Sequence, residues 1–324
     1  MWEMLDGFNP IHVRAAGSFD PARLVRGAMG GMTERLVILG SKGGPAIRPG
    51  GPSPTSSLLE IGGRRIVVDC GLGVSRGLVE AGVPLSALDL IVITHLHSDH
   101  VLELGPLIHT AWTAGLKTPV RVFGPAGTQA VWDGFVASML YDIDLRIEDE
   151  GRPDLRALVD IREFGEGVVI EEDGLLIEAL RVDHPPVTDC YALKISHAGR
   201  VIAFSADTAY FPPLATFARG ADILVHEALH PEGVDRLVAR TGNGARLKAH
   251  LIASHTMAAD AGRIATDADV GHLVLHHLVP ADDPEITEIQ WAAEVRTTWD
   301  GHLTIGRDGL ALPLPVPNPQ RKTA

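Results

Sequence analysis

The sequence predicts an α/β fold in which two β-rich halves face each other with helices outside, a sandwich rather than a βαβ wheel. Three observations carry this. Short apolar runs of strand length recur in both halves of the chain. Helical spacings fall between them. No short internal repeat appears.

In chain order, residues 1–32 show no clear period and read as an irregular arm able to pack on a partner subunit, with Met32 an alternative start. A single α/β domain is expected over 33–312. It begins with a buried strand, "ERLVILG" (34–40), and a Gly/Pro loop at 41–54. "TSSLLEI" (55–61) and "RRIVVDC" (64–70) are strands joined by a Gly62–Gly63 turn. "VSRGLVEAG" (74–82) has helical spacing and ends at glycine. "LDLIVITH" (88–95) is a buried strand. Helices are expected at 101–115 and 126–140 around a strand at 119–124, and residues 141–173 read as charged and irregular. Strands follow at 175–182, 191–196 and 201–206. Helices near 213–219, 256–266 and 286–298 then alternate with strands at 222–227, 272–277 and 302–306. The Pro-rich tail, 313–324, reads as loose.

Composition narrows the function. The 324 residues are 45% hydrophobic and 21% charged, ordinary for a globular protein. No apolar run reaches the ~18 residues needed to span a bilayer, so no membrane association is expected. The first residues lack a basic start followed by an apolar stretch, unlike a secretory signal. Cys70 and Cys190 alone fit a reducing, cytoplasmic setting. A net charge of −13 works against wrapping a long polyanion, so neither tRNA nor DNA is expected as a partner. A small anion at a metal remains compatible, because a bound cation reverses the local field.

The chemistry concentrates in "THLHSDH", residues 94–100. His95 and His97 lie two apart and point the same way in extended chain. Asp99 and His100 follow as the chain turns, so one pair can hold one metal and the second pair a neighbour. An apolar strand aims them. His184, Asp207 and His277, each closing a strand, are the candidates for the remaining ligands.

The order His-x-His-x-Asp-His followed by His, Asp and His resembles the metallo-β-lactamase superfamily. "LVILGSKGGP", "VDCGLG", "DHPPVTDCYALKI", "FSADT", "LVHEA", "ASHTMAADAGRIA" and "LVLHHLVP" resemble motifs of its ribonuclease Z and arylsulfatase-like branch, over about 34–306. The resemblance implies a four-layer αββα sandwich. It implies one metal at His95, His97 and His184, a second at Asp99, His100 and His277, and Asp207 bridging them. It also suggests a homodimer. His276 stands where the family has threonine and is a candidate for supporting a ligand. Asp69 is a candidate for orienting a ligand imidazole, with turn capping the alternative.

Nitrogen and oxygen ligands without thiolates suit zinc, with manganese or iron as alternatives. Two such ions can share a hydroxide at neutral pH. His255, with the His226–Glu227 pair, is the candidate proton donor to the leaving group, so Asp99, His255, His226 and Glu227 are the residues expected in catalysis. The alternatives are a strand-end role for His226 and helix capping with Thr256 for His255. His12, His109, His197, His230, His250, His272 and His302 match no motif and read as surface or core. Lys42 and Arg48 can contact an anionic substrate from the 41–54 loop. Trp112, Trp132, Phe135 and Tyr141 can line a pocket, with core packing the alternative.

Two departures matter. His184 and Asp207 are joined by one hairpin, without room for the long arm of tRNA-processing members. Ala206 replaces the glycine before the bridging aspartate. Residues 126–173 are expected to wall the pocket. The expected activity is therefore a dinuclear metal hydrolase of a small-molecule ester, an aryl sulfate or phosphodiester first. The alternatives are a lactone or β-lactam hydrolase and, in another class, a non-catalytic metal sensor.

Overall fold

The apolar runs pair into two seven-stranded sheets among residues 34–242 and 244–317, which the computed structural model describes. Strands are numbered in chain order. The first sheet holds β1 (Arg35–Gly40), β2 (Ser56–Ile61), β3 (Arg64–Val68), β4 (Leu90–Val92), β5 (Val120–Gly124) and β6 (Val159–Glu163), with β14 (Leu310–Pro313) on the outer edge of β1. The second runs β7 (Gly167–Glu172), β8 (Leu175–Arg181), β9 (Tyr191–His197), β10 (Arg200–Phe204), β11 (Ile223–Leu229), β12 (His272–Val279) and β13 (His302–Ile305).

Side-chain alternation builds the layers. In β1, Leu36 and Ile38 enter the core between the sheets, while Val37 and Leu39 enter a core under helices. Strands buried on both faces read as unbroken apolar runs. The first sheet is covered by α1 (Val74–Glu80), α3 (Leu104–Thr113) and α4 (Thr128–Glu150). The short α2 (Ser98–Val101) precedes α3. The second sheet is covered by α5 (Pro213–Phe217), α8 (Ala258–Ala268) and α9 (Glu288–Val295). Helix, sheet, sheet and helix make the expected α/β sandwich. Between β11 and α8, α6 (Pro231–Thr241) and α7 (Gly244–Ser254) pack on Leu229 and Val279 as a separate small cluster.

Several expectations change. The charged stretch after 140 is helical: α4 continues to Glu150, with Arg146 paired to Asp142 and Glu150 one turn to each side. Residues 159–163 and 167–172 are strands. α6 and α7 add two helices over 231–254, where the sequence pattern predicts no element. Trp112 and Trp132 are core residues, Phe135 packs on that core, and Tyr141 is 83% exposed. Pro313 belongs to β14, and Leu314 is buried with its N–H on the Glu34 carbonyl, so order extends into the expected tail. The arm at 1–32 and residues 318–324 lie outside the described residues. No helix among the described residues is long and apolar enough to cross a membrane.

Candidate metal centre

The strand ends bring the sequence-predicted residues to one place. His95 follows β4, and His97 sits at the start of α2 in extended conformation, so Asp99 and His100 fall in its single turn. His184 follows β8 and Asp207 follows β10. His277 lies within β12 at a bulge: His276 pairs with Glu227 and Leu278 with Ala228, leaving His277 unpaired with φ 45°. The bulge re-aims that side chain relative to a regular strand. Asp69 (φ 63°) and Ala206 (φ 55°) are also left-handed. Such backbone costs roughly 1–3 kcal/mol for each residue other than glycine and clusters at functional sites. Ala206 therefore holds the conformation that a glycine would take without strain. A Cβ at Gly43 would lie 2.5 Å from the His277 ring, so the 41–54 loop can lie this close only as glycine.

Two groups of side chains result. In the first, His95 Nε2 and His184 Nε2 each lie 3.1 Å from His97 Nδ1, and 3.7 and 3.9 Å from Asp207 Oδ2. In the second, His100 Nε2 lies 3.6 Å from Asp99 Oδ2 and 3.3 Å from Asp207 Oδ2. His277 Nε2 lies 3.2 and 3.0 Å from the same two atoms. Ligand atoms about 2.0–2.1 Å from a tetrahedral ion sit roughly 3.3 Å apart, so both groups have the right spread. His100 Nε2 and Asp207 Oδ1 are buried without a hydrogen-bond partner. Buried polar atoms are rarely left so. The residues therefore fit divalent cations.

Electrostatics agree. Burial, reinforced by neighbouring imidazoles, lowers the pKa of His95 and His97 and keeps them neutral. Burial opposes a charge on His277, yet Asp207 and Asp99 outweigh it and push its pKa up to about 10. His100 is likewise raised against burial, by Asp207, Asp69 and Asp99. Burial would raise the Asp99 and Asp207 carboxyls, but His100 and His277 hold both well below the usual range. These carboxylates call for positive charge, and protons compete with divalent ions to supply it.

Asp69 accepts from Thr94 N at 2.8 Å and contacts His100 Nδ1 at 2.8 Å. It both caps the turn and fixes the tautomer that leaves His100 Nε2 free. Asp69→Asn is expected to weaken metal affinity about 10–100-fold with the fold intact. A metal titration with circular dichroism checks this, and unchanged affinity counts against the orienting role.

Glu227 holds His255, with Nδ1 at 3.1 and 3.0 Å from its two oxygens, and also accepts from Thr208 N at 2.6 Å. Burial opposes a charge on His255, but Glu227 raises its pKa. Glu227, His255 and His277 also form a third group able to approach one ion. His226 does not join them. Consecutive residues of a strand face opposite ways, so His226 is fully buried on the other side, its Nδ1 on the Glu227 carbonyl at 2.8 Å, neutral through burial. His276 contacts the Gly40 carbonyl at 2.9 Å and roots the 41–54 loop. Burial, then His277, lowers its pKa to about 4.

A cavity of about 360 Å³ opens over His97, Asp99, Asp207, His255 and His277. None of residues 126–173 lines it, contrary to expectation, because α4 and β6 continue the first sheet's own layer. Its walls are lined by Lys42 and Arg48 of the 41–54 loop and by residues of α6 and α7. His250, read from the sequence as surface or core, also lines it, 6.3 Å between ring centroids from His255. Helix signals were available there: Pro231 at the first position of α6, acidic Glu232 after it and Gly242 at its C-cap.

A model of the family described as "Anti-Pycsar protein Apyc1" matches residues 37–235. Ribonuclease Z of Mycobacterium bovis (strain BCG / Pasteur 1173P2) is 31% identical over 276 residues, 84% of this chain and 95% of that protein. The chain belongs to this family, within the ribonuclease Z-like branch of the metallo-β-lactamase superfamily. Solved structures share the fold. The metallo-β-lactamase fold protein YhfI from Bacillus subtilis superposes with TM-score 0.63 at 22% identity, over 86% of this chain and 98% of that one. Human tRNase Z, short form, gives 0.61 at 18%, over 87% and 100%. Zn(2+)-bound PqqB from Methylobacterium extorquens gives 0.60 at 17%, over 86% and 100%. Membership of this branch, with the two side-chain groups, makes the chain a divalent-metal-dependent hydrolase.

Two expectations are thereby overturned. Relatives named Ribonuclease Z act on RNA, which contradicts both the small-molecule ester and the exclusion of tRNA. The net charge of −13 sums the whole surface, whereas a phosphate meets only the cavity, where Lys42, Arg48 and Arg240 stand against one wall carboxylate, Asp282, above the ligand-like Asp99 and Asp207. The short hairpin between His184 and Asp207 bears only on an arm at that position.

Proposed function

We propose that the chain is a dinuclear metal-dependent ribonuclease that hydrolyses a phosphodiester bond of RNA, with tRNA precursors the first class to test. The observation that carries this is the pair of ligand-like groups sharing Asp207 at the floor of a cation-walled cavity. His95, His97 and His184 would hold one ion, and Asp99, His100 and His277 the other, with Asp207 common to both. Divalent ions, zinc first and manganese or iron as alternatives, supply an activated water at neutral pH and offset phosphate charge.

The chain's own residues do the rest. Asp69 fixes the His100 ring. Glu227 accepts a hydrogen bond from His255 Nδ1–H, leaving Nε2 as the nitrogen available to the cavity. From there a protonated His255 hands its proton to the departing ribose oxygen. Lys42, almost buried, spends its ammonium on the Gly43 and Gly44 carbonyls at 3.1 and 2.8 Å, with no carboxylate in hydrogen-bond reach of it among the described residues. Its charge is left to face a phosphate at the cavity floor. Buried, unpaired Cys70 and Cys190 support a reducing cytoplasmic setting.

The deciding experiment incubates zinc- or manganese-loaded protein with a tRNA precursor, against a chelated control. Chelator-sensitive cleavage is expected. Intact RNA with two equivalents of metal bound rejects the reading.

The pH profile follows from His255. Its raised pKa keeps it protonated to higher pH than a free imidazole, so the alkaline limb of kcat is expected above about 6.5. Glu227→Gln removes the charge that raises it, so the limb moves to lower pH. A limb that stays in place in this variant excludes His255 as the acid.

A further inference from the structure

The cavity holds a second cationic feature, set apart from the metal groups. Asp282 follows β12, five residues after His277, and its side chain is 6% exposed. Two guanidiniums converge on it from different elements. Arg48 of the 41–54 loop places Nε 2.6 Å from Oδ2, and Arg240 near the end of α6 bonds Oδ1. One carboxylate neutralises one of the two cations. Both arginines line the cavity and stay about one-third exposed, so donors remain for a ligand. An arginine carries five N–H donors; Arg48 spends one on Asp282 and Arg240 two, on its carboxylate and its backbone carbonyl, so most remain unspent. Leu237, Leu247, Leu251 and Val279 line the same cavity, with Leu237 one turn before Arg240 on α6. The space thus offers both guanidinium donors and apolar surface.

A nucleotide has those two chemistries. Its base offers a flat face that packs on apolar side chains, and its phosphate takes guanidinium donors in pairs. A volume of about 360 Å³ lies at the low end of the range for small-ligand sites, enough for one nucleotide unit and far too narrow for a duplex. Five residues of chain reach at most ~17 Å, so the arginine pair lies within a nucleotide or two of the metal groups.

We propose that Arg48 and Arg240, gathered on Asp282, form a phosphate subsite that takes the phosphate neighbouring the scissile one in single-stranded RNA, with the intervening base on Leu237, Leu247 and Leu251. This rests on the ribonuclease reading above. The subsite makes the enzyme favour substrates with two successive phosphates over those with one.

The test separates the two claims. Binding of a fluorescent single-stranded oligoribonucleotide to the chelated protein is followed by anisotropy at several salt concentrations, for wild type, Arg48→Gln and Arg240→Gln. Each variant leaves the other arginine on Asp282, which keeps that carboxylate paired. The expected result is a roughly tenfold weaker Kd in each variant, with the salt slope smaller by about 0.7. In parallel, the zinc-loaded proteins hydrolyse bis(p-nitrophenyl) phosphate, which has one phosphate. Its kcat/KM is expected to change less than about threefold, while KM for the oligoribonucleotide rises about tenfold. Unchanged RNA affinity, or equal losses on both substrates, overturns the subsite. If wild type hydrolyses the aryl diester but leaves RNA intact, the ribonuclease reading falls, and the anisotropy arm still decides whether the arginines bind phosphate.

Discussion

Asp207→Ala is expected to abolish hydrolysis, by three orders of magnitude or more, and to lower the content of both metals. Asp207 Oδ2 lies within reach of both ligand groups, 3.0 to 3.9 Å from His95, His100, His184 and His277. Lewis-acid stabilisation is worth several kcal/mol, and each 1.36 kcal/mol is a factor of ten. His97→Ala touches only the first group, so it should lose one equivalent of metal and keep the other. Elemental analysis beside turnover distinguishes the two patterns. Full activity and metal content in either variant refutes the site.

His255→Ala is expected to retain both metals and to slow RNA cleavage about 10²–10⁴-fold, the usual size of a general-acid contribution. The ribose oxygen is a poor leaving group and needs a proton. The nitrophenolate of an aryl diester does not, so its release should slow far less. Equal slowing on both substrates argues against proton donation. Loss of metal instead moves His255, which lies near Glu227 and His277, into the ligand set.

Much of this centre is legible in sequence because its signals are local. "THLHSDH" puts four metal-capable side chains within six residues, and the strand that precedes it is an unbroken apolar run. His184, Asp207 and His277 could be chosen because each closes a predicted strand, and the family resemblance separates His277 from His276. Adjacent pairs were harder. His226 and Glu227 look equivalent in sequence, yet strand alternation sends one to the site and buries the other. His276 and His277 look equivalent too, and a bulge decides between them. The charged run after 140 hid a helix, because i,i+4 ion pairs stabilise a segment without an apolar stripe.

The sequence by itself determined the fold class and the residues able to bind metal, since both follow from short-range periodicity and spacing. Only the tertiary structure decided what surrounds them. The cavity wall comes from α6 and α7 rather than from 126–173, and the cations come from positions 42, 48 and 240, nearly two hundred residues apart at the extremes. Net charge is a sum over the chain and loses position. A phosphate responds to the few charges within a Debye length of about 10 Å, and only folding assembles those.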